Sequence, residues 1–182
     1  MTRAAEIEAH YARNWVSTGV PCLFNKGPVA DLPPDFAVLK FPPREQRQMW
    51  TFATRCLGQD SDREPIELHC FSATDAAPLV EMLYTVAHFH RTVTNLCLGH
   101  TVNIGKGWWE GSPLKYGLIS LPYLDGPALE CMEGHARRFL WFIPLLEREV
   151  EFKRCMGFEA LEQALERQGF DYLDPFRASV VV

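Results

Sequence analysis

Apolar residues along this chain change their period several times, and each change predicts an element. At the start, Ala4, Ile7, Tyr11 and Trp15 recur at helical spacing with charged residues between them, and Thr2 can cap the first turn. Gly19 and Pro21 end this helix, and a loop rich in proline and glycine is expected from Val20 to Pro34. Phe36, Val38 and Phe41 suggest a short strand that Pro42 and Pro43 stop. Trp50, Thr51, Phe52 and Thr54 favour a strand within Gln48 to Leu57. After the polar turn from Gly58 to Arg63, Ile66, Leu68 and Cys70 alternate with Glu67, His69 and Phe71. Their closeness in sequence predicts a hairpin of these two strands.

Thr74 or Asp75 then caps the clearest helix, with Pro78 in its permissive first turn. Leu79, Val80, Met82, Leu83, Val86, Ala87 and Phe89 cover more than half its circumference, so it should be buried on more than one side, across a sheet. The run GKGWWEGS, from Gly105 to Ser112, reads as a loop. Tyr116 to Tyr123 resumes strand character, and Arg138 to Ile143 is apolar on both faces, which places it centrally in the sheet. Pro144 is expected to open the last helical region, which Gly157 breaks and Gly169 ends. The tail finishes in ASVVV and either pairs as a strand or packs across the core.

The chain has 182 residues, 47% hydrophobic and 23% charged, which suits one globular domain. A net charge of −5 gives no electrostatic reason to hold a nucleic-acid backbone, but it would attract a basic partner. Six evenly spread cysteines with no CxxC pair point to free thiols in a reducing cytoplasm. The first twenty residues lack an apolar core, so no secretory signal is expected, and no run is long enough to span a bilayer.

Chemistry-bearing patterns are sparse. His88 and His90 point apart on a helix, and His69 and Cys70 face opposite sides of a strand, so neither pair holds a metal. Cys97 and His100 have a usable spacing but lack two further ligands. The same two residues are the best local Cys–His pair for a hydrolase, with nothing nearby in sequence to lower the thiol pKa. Glu147, Glu149 and Glu151 read as solvated helix charges. Trp108 and Trp109 either anchor an interface or tuck under their loop to close the core.

Six segments, in order, carry a family likeness: QMWTFAT (48–54), PIELHCFS (65–72), VAHFHRTVTNLCLGHTV (86–102), LISLPYLDGPALE (118–130), FLWFIPLLEREVEF (139–152) and DPFRASVV (174–181). Together they resemble the Suppressor of fused domain over Pro43 to Val182. The resemblance implies an α+β fold, a mixed and mainly antiparallel sheet packed with helices, in a single domain over 1–182. Residues 1–42 would be an N-terminal helix and loop extension, and 43–182 the core. It implies a protein-binding function with no catalytic residue, metal or cofactor.

Two-domain animal relatives restrain transcription factors, whereas compact bacterial relatives are similar to immunity proteins that neutralise a cognate polymorphic toxin. An immunity role is the leading expectation, with a regulatory or scaffold role as the alternative and a Cys/His hydrolase or metal enzyme third. In the animal proteins an aromatic on the helix and an acid after a glycine contribute to partner binding; these align with Phe89 and His100. His100 departs from the acid of the pattern, which puts the animal partner in doubt and fits a rewired surface. The expected partner-binding residues are therefore Phe89, His100, Trp108 and Trp109.

Overall fold

In the computed structural model, which describes residues 2–24, 27 and 29–182, seven strands make one sheet with helices on both faces. Helix α1 (Arg3–Trp15) starts where expected, the Thr2 hydroxyl accepting from the Ala5 amide. It is followed by β1 (Val20–Cys22), β2 (Ala37–Phe41), β3 (Trp50–Arg55) and β4 (Ile66–Ser72). Helix α2 (Ala77–Thr92), β5 (Thr101–Asn103), β6 (Tyr116–Ser120), the short α3 (Pro127–Glu130) and β7 (Arg138–Leu145) complete the layers. Two helices, α4 (Glu147–Met156) and α5 (Phe158–Gln168), meet at Gly157.

The strand order is β1-β2-β3-β4-β7-β6-β5. All neighbours are antiparallel except β4 and β7, which run parallel with Ile66 opposite Arg138. Strands β4 and β7 are buried almost throughout, as befits the centre of a sheet covered on both sides.

One face packs on α2: Val38, Phe52, Leu68, Cys70, Leu140 and Phe142 meet Leu79, Met82, Leu83 and Val86. The other face is shared. Leu39, Phe41, Ala53 and Phe139 pack on Ile7, Tyr11 and Trp15 of α1, while Phe71, Trp141, Ile143 and Leu145 pack on Val150, Leu161 and Leu165 of α4 and α5. The alternation of β7 thus serves two cores, Leu140 and Phe142 facing one and Phe139, Trp141 and Ile143 the other.

Three local expectations change. Pro21 does not end in a loop but lies within β1, an edge strand whose missing amide hydrogen costs nothing on the open side. Pro144 lies inside β7 and does not open a helix; α4 begins at Glu147. The β4 pairing stops at Trp141, so at Pro144 only β6 flanks β7 and a proline is tolerated. Neither Thr74 nor Asp75 caps α2. Its N-cap is Ala76, and the Asp75 carboxylate instead accepts from Lys40 Nζ at 2.8 Å. The tail forms no strand; it packs across the α4–α5 side. Among the described residues no helix is long and apolar enough to cross a membrane.

Candidate partner-binding site

The end of α2, the segment leading to β5 and the β5–β6 loop form one border of the molecule. The chain leaves α2 through a buried imidazole: His90 Nδ1 accepts from the Leu96 amide at 2.9 Å, which draws residues 93–96 back against the helix. Gly99, at φ +81°, then turns the chain so that its amide donates to Ile119 O at 2.8 Å. The Ile119 amide returns a bond to His100 O at 2.9 Å, which sets His100, exposed, at the mouth of β5.

Cys97 Sγ lies 3.3 Å from His100 Nε2, so the structure brings together the best local Cys–His pair of the sequence. Burial, followed by the charge of Glu64, raises the Cys97 thiol above its ordinary range. That is the opposite of what a nucleophile needs. Among the described residues no three His, Cys, Asp or Glu side chains are grouped to hold a metal ion.

The tryptophan pair divides. Trp108 is 2% exposed and stacks on Phe142 with centroids 5.1 Å apart. Its indole nitrogen donates to Tyr116 O at 2.9 Å. Phe142 in turn lies over Gly117, where a Cβ would fall 2.0 Å from the ring. Gly117, Phe142 and Trp108 are therefore one stack rising from the sheet, and Trp108 closes the core. Trp109 is half-buried and stacks on Trp108 at 6.0 Å, with its outer side open. Phe89 is also half-buried and packs against the same apolar cluster. Phe89 and Trp109 thus each pack against the large core under α2 that Trp108 enters, whereas His100 lies beside Cys97.

Between these residues β5 ends the sheet. His100 O and the Ile104 amide bond across to β6, so by antiparallel alternation the backbone groups of Thr101 and Asn103 point outward. The opposite edge, β1, carries Pro21 and offers fewer donors. Strand β5 is the edge suited to accept another strand.

Several buried polar groups escaped the sequence reading. Glu149, expected to be solvated, is fully buried: Arg177 Nη1 and Nη2 donate to its two oxygens, each at 2.7 Å. The same carboxylate accepts from the Leu146 amide at 2.9 Å, satisfying the start of α4, and from the Val180 amide at 3.1 Å, holding the tail. Glu67 is also fully buried, accepting from Thr54 Oγ1 at 2.7 Å, the Leu57 amide at 3.1 Å and Arg137 Nη1 at 2.9 Å.

A third cluster spans the gap between α1 and α5. Asp125 accepts from Trp15 Nε1 at 2.9 Å and pairs with Arg47 at 2.5 Å, and Arg47 lies 4.9 Å from the ring centres of both Trp15 and Phe71. His69 beneath it is 1% exposed; its Nε2 lies 3.7 Å from the Asp125 carboxylate, and among the described residues neither ring nitrogen makes a hydrogen bond.

Burial lowers the His69 pKa to about 3, with Arg47 opposing protonation and Asp125 favouring it. The unfolded chain takes up a proton near pH 6.5 that the folded chain refuses until about pH 3. Stability should therefore fall as pH drops through this window, by up to about 1.4 kcal/mol per pH unit from this group. His69→Phe, which fits the aromatic surroundings, is expected to flatten the acid limb of a stability–pH curve measured by urea unfolding. An unchanged slope would show that His69 titrates normally in the fold.

The model of the Suppressor of fused protein (SUFU) family matches residues 33–178. A SUFU homologue from Neisseria gonorrhoeae has a crystal structure that aligns over 99% of this chain and 97% of its own, at 30% identity and a TM-score of 0.89. The Sufu–Fu complex structure aligns over 98% of this chain and 92% of its own, at 15% identity and a TM-score of 0.70. Drosophila Suppressor of Fused aligns over 98% of this chain at 17% identity and a TM-score of 0.69, and this chain spans 51% of its length. The latter two show a shared fold. No curated protein matches the chain.

Proposed function

The chain belongs to the Suppressor of fused family, and we propose that it acts as a protein-binding module whose partner adds to the β5 edge beside His100 and Trp109. The observation that carries this reading is the β5 edge itself. It presents outward backbone groups at Thr101 and Asn103, with an exposed imidazole at one end and a half-buried indole in the loop at the other. Strand addition gives affinity through the main chain, and flanking side chains give specificity. Phe89 packs from the end of α2 against the main core and is proposed to contribute from there.

The role we propose is that of an immunity protein, which binds a cognate toxin in the cytoplasm and blocks it without making or breaking a bond. The net charge of −5 would steer a basic toxin toward it. A regulatory role with an endogenous partner is the second reading, favoured by the fold this chain shares with the Sufu–Fu complex structure.

Asn103→Pro removes an outward amide without touching a β6 bond, and Asn103→Ala keeps that amide while losing the side-chain bond to Gly105. Co-expression with the product of an adjacent toxin gene should yield a complex that the alanine variant keeps. The proline variant should weaken it by about tenfold or more, with little change in melting temperature. A complex indifferent to the proline would remove the edge from the interface. No complex with, and no protection against, any co-encoded toxin would remove the immunity role.

A further inference from the structure

On the sheet face opposite α2, a cleft of about 670 Å³ opens between α5 and the segment after β6. Its floor is aromatic. Trp141 of β7 lies 5.8 Å from Phe170 in a stacked arrangement and 5.4 Å from Tyr172 edge-on. The volume is that of sites which enclose a ligand group. The rim is apolar and open, with Tyr123 57% and Leu124 47% exposed.

The ionisable side chains along α5 in this cleft are all acidic, Glu159, Glu162 and Glu166, and among the described residues no Lys, Arg or His lines it. Their spacing of three and four sets them in one stripe. Glu162 reaches furthest in. It is half-buried and accepts hydrogen bonds from the hydroxyls of Ser120 and Tyr123. Its carboxyl is raised above the ordinary range by burial, and the neighbouring charge acting on it is Glu159, another acid. A carboxylate held partly out of water, with only another acid beside it, favours a cationic group.

We propose that this cleft binds a basic segment of a partner protein, seating an arginine side chain against Glu162 above the aromatic floor, with an apolar neighbour against Leu124. Charge complementarity selects the sign, and the aromatic floor selects a flat, weakly hydrated cation over a compact one. The exposed Tyr123 and Leu124 extend the apolar surface beyond the cleft, which a chain covers and a small free cation does not. The cleft shares with the β5-edge reading only the expectation of a protein partner. It is lined by α5 and the segment after β6 and by no residue of β5, and its test needs no cognate toxin, so either can fail alone.

The test is fluorescence anisotropy of the full chain with fluorescein-labelled nine-residue peptides alternating leucine with arginine, glutamine or glutamate. The arginine peptide should bind about tenfold or more tighter than the glutamine peptide, and added salt should weaken it. The triple variant E159Q/E162Q/E166Q should lose about tenfold in affinity for the arginine peptide with its melting temperature retained. Leu124→Ser should weaken the arginine and glutamine peptides alike. The control E110Q/E133Q/E151Q removes three exposed acids elsewhere and should bind as the parent does. No binding of the arginine peptide, equal binding of the three peptides, or equal losses in the two triple variants would each overturn the assignment.

Discussion

Arg177→Met is expected to destabilise the protein by about 3–5 kcal/mol, because it strands a fully buried carboxylate. Glu149 has no exposure, and both its oxygens accept from the Arg177 guanidinium in a fork. Arg177 Nη2 also donates to Pro144 O at 2.8 Å, so the substitution leaves a strand carbonyl without its partner as well. A domain of this size is held by only about 5–15 kcal/mol, so much of the total is at stake. Urea unfolding should show an earlier midpoint with the slope retained. Combining Arg177→Met with Glu149→Met should restore part of the loss by removing the stranded charge. The recovery stays partial, because the Leu146 and Val180 amides lose their acceptor too. A loss under about 1 kcal/mol in the single variant would show that the carboxylate reaches water easily.

Trp108→Ala is expected to cost about 3–5 kcal/mol and Trp109→Ala only about 1 kcal/mol, although the two are neighbours in sequence. Removing Trp108 empties the space above Phe142 and leaves Tyr116 O without its indole donor. Removing Trp109 takes away one side of a stacked pair that already faces outward. Thermal unfolding of both variants separates the roles. The stability loss should follow Trp108, and the partner-binding loss should follow Trp109. Equal stability losses would place both rings in the core and take Trp109 out of the proposed interface.

The elements that sequence revealed are those whose partners are local or whose pattern is strong. The stripe of Ile7, Tyr11 and Trp15 made α1 readable, and the apolar run 138–143 made β7 readable as central. Strand β1 was hidden, because a three-residue edge strand needs no hydrophobic pattern and Pro21 argues against one. Pro144 misled for a related reason: a proline is costly only where its amide is needed, and strand pairing on that side ends at Trp141.

Charge burial was the larger gap. Glu149 looks like its neighbours Glu147 and Glu151 until Arg177, 28 positions later, is seen to cover it. Glu67 likewise meets Arg137, 70 positions away. At the candidate site, the Cys97–His100 contact was legible from its spacing, whereas nothing in GKGWWEGS says which tryptophan turns inward. That depends on Gly117 leaving room for Phe142, a fact of strand pairing.

The parallel seam at the middle of the sheet sets a timetable for synthesis. As the nascent chain leaves the ribosome, β2, β3 and β4 can close on one another through short connections. The far side of β4 cannot, because its neighbour begins at Arg138. Until that strand emerges, seven residues destined for the interior present a bare template to any passing strand. Translation pauses or chaperone depletion should therefore aggregate this polypeptide before position 145 is made, and Arg177 latches the fold only after α4 has followed β7.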